Sequence, residues 1–198
     1  MNYDTLPESF WRIRTLDMQK DKKWAAAVNV AALVVLLALL IPAGFWIPLR
    51  ECAGFDGRSF GEEMLFWGLL LVGAVGYIFA HELIHGAAIR LLGRTKPTFG
   101  FTGLFAYAAC QTKYISKKPY AVIALAPLVL ITAALLPLCF LVPRGWFWLP
   151  YFVMAANISG SVGDIGVVWM LLRAPRDVLV IDRGTAMEFY SAEKGRRR

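Results

Sequence analysis

The two histidines of this chain fall in one five-residue word, His81-Glu82-Leu83-Ile84-His85. On a helix, residues four apart lie on one face, so both imidazoles can reach a single metal ion. Glu82 then stands beside that ion, placed to take a proton from a water that the ion activates. The chemistry this spacing could do is hydrolysis. Two histidines on the wet face of an amphipathic helix would need polar neighbours, and Tyr77, Ile78, Phe79, Ala80, Leu83 and Ile84 leave no such face. The word lies in an apolar run from Met64 to Leu92, where an ionisable group marks a functional site by default.

A catalytic zinc takes three protein ligands and keeps a fourth position for water. With no third histidine, the candidates are carboxylates and cysteines. Glu82 and Asp164 are the acidic residues that lie inside apolar stretches, and a carboxylate in lipid needs a partner or a cavity. Depth points to Asp164 as the third ligand. His81 and His85 precede Leu92, the end of their span, by eleven and seven residues; Asp164 precedes Leu172, the end of a later parallel span, by eight. Asp177 and Asp182 follow that last span and are expected to face water. Around Asp164 runs Asn157-Ile158-Ser159-Gly160-Ser161-Val162-Gly163, small and polar within a hydrophobic span. Asn157 shares a helical face with Asp164, where it could hydrogen-bond toward the carboxylate or polarise a substrate carbonyl. Gly73 and Gly76 offer a small surface for close helix approach.

The elements that must position these groups are membrane spans. Hydrophobic residues make up 58% of the chain and mean hydropathy is +0.55, which implies an integral membrane protein. Four stretches, Trp24–Ile47, Met64–Leu92, Tyr120–Val142 and Trp146–Leu172, exceed the roughly 20 residues that cross a bilayer. The first follows a head containing Asp4, Glu8, Asp17 and Asp21 and is too long for the core of a cleaved signal peptide. Eighteen of the 21 Lys and Arg residues lie in the head, in the loop after the second span and in the tail. That asymmetry predicts a multi-pass protein of the cell (inner or plasma) membrane with both termini cytoplasmic. The net charge of +7 then reflects orientation and contact with anionic lipid, and calls for no nucleic acid. The chain divides into a cytoplasmic head (1–23), a four-helix membrane domain (24–172) and a basic cytoplasmic tail (173–198).

Between the second and third spans, Pro97–Cys110 is rich in glycine and aromatics and reads as a short β-hairpin turning near Gly103. Its edge could hold a substrate as an added strand, or the hairpin could simply plug the cytoplasmic face. Pro127 and Pro137 interrupt the third span, where neighbours must re-satisfy the freed backbone. Val178–Ile181 and Thr185–Tyr190 read as a small cytoplasmic hairpin around Asp182-Arg183-Gly184. The predicted fold is therefore an all-α polytopic membrane protein of four transmembrane helices carrying these two hairpins. Cys52, Cys110 and Cys139 form neither a disulfide framework nor a zinc ribbon; Cys52 and Cys139 face the same side, but reduced thiols are the expectation.

His81-Glu82-Leu83-Ile84-His85-Gly86, Pro97-Thr98-Phe99-Gly100-Phe101, Ile115-Ser116-Lys117 with Ala124-Leu125-Ala126-Pro127-Leu128, and Ser159-Gly160-Ser161-Val162-Gly163-Asp164 together resemble a family of small bacterial membrane proteins classed as zincin peptidases. More distantly the chain is similar to site-2 intramembrane zinc proteases, although Gly160 and Ile165 stand where that pattern has Pro and Gly. The resemblance implies His81, His85 and Asp164 as Zn2+ ligands, Glu82 as general base, and a strand-like element for an unwound substrate. The membrane domain is thus expected to be metallopeptidase-like.

Function follows as zinc-dependent intramembrane endopeptidase action on a membrane protein or peptide. A non-proteolytic zinc-binding membrane protein with a regulatory or interaction role is the alternative, but a structural site has no need of Glu82. Metal carriers scatter ligands along a path, and two histidines cannot build a di-iron histidine box.

Overall fold

A computed structural model describes residues 2–51, 59–103 and 105–193. Cys52, Leu104 and the Lys194–Arg198 end of the basic tail lie outside the described residues. Among those described, four helical segments are long and apolar enough to cross a membrane: Lys22–Trp46, Phe60–Gly93, Lys117–Leu141 and Arg144–Arg173. These helical segments coincide with the four expected stretches, with ends that differ by a few residues. Helix α1 is Lys22–Trp46, α2 is Phe60–Ala88 and continues as one π turn over Ile89–Gly93, and α3 is Lys117–Leu141. The fourth span is two helices, α4 (Trp148–Gly160) and α5 (Val162–Arg173), rather than one.

The chain forms two compact units. One comprises Asn29–His81 and Pro127–Val162, and its regular elements among the described residues are helices. Here α2 begins with a reciprocal cap: the Ser59 N–H donates to Glu62 Oε2 at 2.9 Å and the Glu62 N–H to Ser59 Oγ at 3.4 Å. Its core is aromatic, with Phe66, Phe147 and Trp148 buried and Phe147 stacked on Tyr151 at 4.9 Å. Polar tips find backbone partners. Trp148 Nε1 donates to the Ile47 carbonyl at 3.0 Å, and the Tyr151 hydroxyl to that of Leu39 at 2.8 Å. Val153 would meet a Cβ on Gly73 at 3.0 Å, so this glycine admits a close helix approach; Gly76 faces open space. Leu69, Leu71 and Val72 stay exposed, an apolar surface on a helix long enough to cross a membrane.

The other unit comprises Met1–Val28, Glu82–Ala126 and Gly163–Arg198, and it departs from the all-α expectation. Its head contains a strand, β1 (Trp11–Asp17). With β4 (Ile115–Ser116), β5 (Leu179–Asp182) and β6 (Ala186–Ser191) it forms a four-stranded antiparallel sheet in the order β1-β6-β5-β4. The tail hairpin forms as expected and the head completes it. Leu16, Ile115, Val178, Val180 and Phe189 pack in one core with Ala88 and Ile89, with Tyr120, Ile123 and Ala124 of α3, and with Val167 and Leu171 of α5. Asp21 caps α1 through the Trp24 N–H at 3.0 Å. Lys117 Nζ donates to the Ala174 carbonyl at 2.9 Å, just past the end of α5.

The expected hairpin between the second and third spans is β2 (Thr98–Phe101) paired with β3 (Ala106–Ala109), turning at Gly103 with φ +88°. Tyr107 of β3 lies against both Gly100 and Gly184, and a Cβ on either glycine would collide with its ring. Gly184 forms the β5–β6 turn with φ +90°. The two hairpins are further tied by Gln111 Nε2 donating to the Arg183 carbonyl and Arg183 Nη1 to that of Gln111, each at 3.1 Å. Gly184→Ala is expected to lower the melting temperature more than Gly103→Ala. Both lose a left-handed backbone that costs other residues about 1–2 kcal/mol. Only Gly184→Ala also displaces a ring, for about 1–3 kcal/mol more, because a Cβ at Gly103 meets nothing within 4 Å. Equal shifts in thermal unfolding would show that the turn does not clamp Tyr107.

Candidate metal centre

His81 and His85 sit one turn apart on α2, which runs unbroken through both. His81 is the last residue of its stretch of the helical unit, and Glu82 opens the sheet-bearing one. His81 is buried at 9% exposure, and the His85 side chain is 12% exposed.

Each imidazole is held from behind by an oxygen, and the chemistry of that oxygen decides the tautomer. His85 Nδ1 lies 3.0 Å from the Ile123 carbonyl. A carbonyl only accepts, so Nδ1 carries a proton, and in the neutral ring Nε2 is the atom that can ligate. His81 Nδ1 lies 3.2 Å from Asn157 Oδ1. The amide of Asn157 can point one way only. Its nitrogen faces the Pro127 and Leu128 carbonyls at 3.5 Å each and Thr132 Oγ1 at 3.3 Å, so its oxygen must face His81. His81 Nδ1 is again the donor, and in the neutral ring Nε2 is the atom that can ligate. Ligating histidines are characteristically held in this way, with the second nitrogen donating to an oxygen. The Asn157 side chain is fully buried and committed on both sides, toward His81 and toward α3, rather than toward Asp164.

Asp164 lies in the first turn of α5. The fourth span breaks just before it: both the N–H and the hydroxyl of Ser161 donate to the Asn157 carbonyl, at 3.0 and 2.8 Å, closing α4. α5 approaches the start of α1 closely on either side of Asp164. A Cβ on Gly166 would meet Trp24 at 2.7 Å, and one on Gly163 would meet Val28 at 3.8 Å. Asp164 Oδ1 lies 3.6 Å from Nε2 of His85. Two ligand atoms on a tetrahedral zinc, each about 2.0–2.1 Å from the ion, stand roughly 3.3 Å apart. One ligand atom from each of His81, His85 and Asp164 lies within 4.8 Å of the other two. Donor type, tautomer and spacing thus fit a zinc ion. Glu82, partly buried, follows His81 directly, where the sequence places it.

The supporting residues were less legible. No side chain marks Ile123, whose backbone alone acts, and nothing marks Thr132. Asp182, expected in water, is buried: it accepts from the Tyr120 hydroxyl and from the Gly184 N–H, each at 2.8 Å. Loss of hydration on burial pushes its carboxyl above the usual range. Asp177 binds the tail instead, accepting from Ser191 Oγ at 2.6 Å and the Ala192 N–H at 2.8 Å. Cys110 and Cys139 are buried free thiols. Phe99 of β2 seats its ring on Gly86, directly after His85, so the hairpin does lie beside the metal helix.

Asn157→Leu is expected to weaken zinc binding by roughly 10–100-fold, the usual cost of losing a partner behind a ligand. Competition against a chelator measures it. Unchanged affinity would show that the amide does not orient His81.

Neither curated proteins nor solved structures gave a match. Residues 74–179 match the family described as "putative zincin peptidase". The match runs from the last turns of α2 through α5 and takes in every residue of the candidate centre. Spanning just over half of the chain, it makes this protein a member of the zincin peptidase family.

Proposed function

We propose that this protein is a zinc-dependent endopeptidase that cuts membrane-associated proteins or peptides within the bilayer, with His81, His85 and Asp164 as ligands and Glu82 as general base. The observation that carries this reading is the pair of Nδ1 contacts: both imidazoles meet an accepting oxygen on the Nδ1 side, and His85 Nε2 faces a carboxylate oxygen 3.6 Å away. When bound, zinc supplies Lewis acidity, acidifying a water and polarising the scissile carbonyl. Glu82 takes the proton of that water and returns it to the leaving amine. Asn157 and the Ile123 carbonyl hold the two rings in place, and we assign Asn157 this role in preference to a substrate contact. A substrate helix must unwind to expose a peptide bond, and the β2–β3 hairpin beside His85 is the element we assign to receive it.

The site lies toward the cytoplasmic face, with both termini in the cytoplasm, on the strength of the eighteen basic residues gathered there. An alkaline phosphatase fused after Lys118 should accordingly be inactive. An active fusion would contradict the orientation.

Purified protein is expected to hold about one zinc per chain. Glu82→Gln should retain that zinc and lose cleavage by about 100-fold or more, because the amide cannot accept the proton. Mass spectrometry of new protein termini in membranes carrying wild type or Glu82→Gln reads the loss. Identical termini in both, with zinc bound in both, would favour the non-proteolytic reading.

A further inference from the structure

Helix α3 continues unbroken from Lys117 to Leu141 through Pro127. In an α-helix the N–H of residue 127 would bond the carbonyl of residue 123. Proline has no N–H, so the Ile123 carbonyl is left without its regular donor. It is this carbonyl that accepts the Nδ1 proton of His85, at 3.0 Å. An orphaned carbonyl in an apolar span must find a donor, and here the donor is a ring whose other nitrogen faces Asp164. Four residues on, the Pro127 and Leu128 carbonyls face the Asn157 amide that holds His81. The spacing along α3 repeats the four-residue spacing of the histidines.

We propose that Pro127 is a positioning residue. By withholding one backbone proton it reserves the Ile123 carbonyl for His85 and so fixes the Nε2 base toward the metal. A kink alone would bend α3 without this consequence. With an N–H at 127, the helix competes for the carbonyl, whose two lone pairs are then shared, and the hold on His85 is weakened. The inference rests on the zinc reading above, but the contact between His85 and the Ile123 carbonyl is present without metal.

The test uses the full chain in nanodiscs, ¹⁵N-labelled at histidine and purified without a polyhistidine tag. With two histidines in the sequence, the ring nitrogens of each can be assigned by substitution. In metal-free wild type, at a pH where the rings are neutral, both should show protonated Nδ1 and bare Nε2. Pro127→Ala should move His85 toward the Nε2–H form and leave His81 unchanged. Its zinc affinity, by chelator competition, should fall about tenfold. Pro137→Ala, which removes a proline from the same helix away from the centre, should alter neither. A wild-type His85 already in the Nε2–H form would overturn the proposal even if Pro127→Ala does not fold, and so would Pro127→Ala with wild-type tautomers and affinity. If wild type binds no zinc while the tautomers behave as described, the zinc reading fails and the positioning inference stands.

Discussion

A neutral imidazole carries one proton, and in an apolar interior that proton needs an acceptor. Here the acceptors are the Ile123 carbonyl and the Asn157 amide oxygen, and both stand on the Nδ1 side. That single constraint orients the centre. It leaves Nε2 of each neutral histidine as the atom that can ligate, and in His85 that nitrogen faces the Asp164 carboxylate. Without the two oxygens either ring could flip or exchange its proton, and the two bases would not be held for one ion.

The surrounding structure serves this arrangement. α3 supplies a row of oxygens at Ile123, Pro127, Leu128 and Thr132, directly to His85 and through Asn157 to His81. Asn157 in turn lends its own carbonyl to Ser161, which ends α4 and lets α5 begin with Asp164 in its first turn. α1 seats Trp24 where Gly166 has no side chain. The sheet closes the core over α3 and α5, and through Tyr120 and Asp182 it ties its β5 edge to the helix that holds His85. Hydrogen bonds are individually small, near 1 kcal/mol net, but a buried polar group left without a partner costs more. This makes a chain of mutually satisfied groups specific rather than merely stable.

The centre was legible in the sequence because ionisable groups are rare in spans: His81, Glu82, His85 and Asp164 declare themselves against an apolar background. The spans were legible for the same reason. The head strand was not. Trp11–Asp17 pairs with β6 some 170 residues later, and a bulge between Arg12 and Arg14 shifts the register so that Leu16 is the residue buried. No local pattern carries a pairing of that length, and that pairing helps extend the expected tail hairpin into a four-stranded sheet. Asp182 was misplaced for the same cause. The sequence shows it beyond the last span, and only the sheet reveals that a tyrosine covers it. Ile123 acts through its backbone, which every residue shares, so its one trace is the proline four positions on. The broken fourth span shows as small and polar residues, while the place of the break depends on the hydroxyl of Ser161.

The central claim is a zinc ion held by two imidazole nitrogens and one carboxylate. X-ray absorption at the zinc edge of the loaded protein tests it most directly. The expected first shell holds nitrogen and oxygen alone at about 2.0–2.1 Å, with the outer-shell scattering of two imidazoles. A sulfur scatterer near 2.3 Å, or the signature of fewer than two imidazoles, would contradict it.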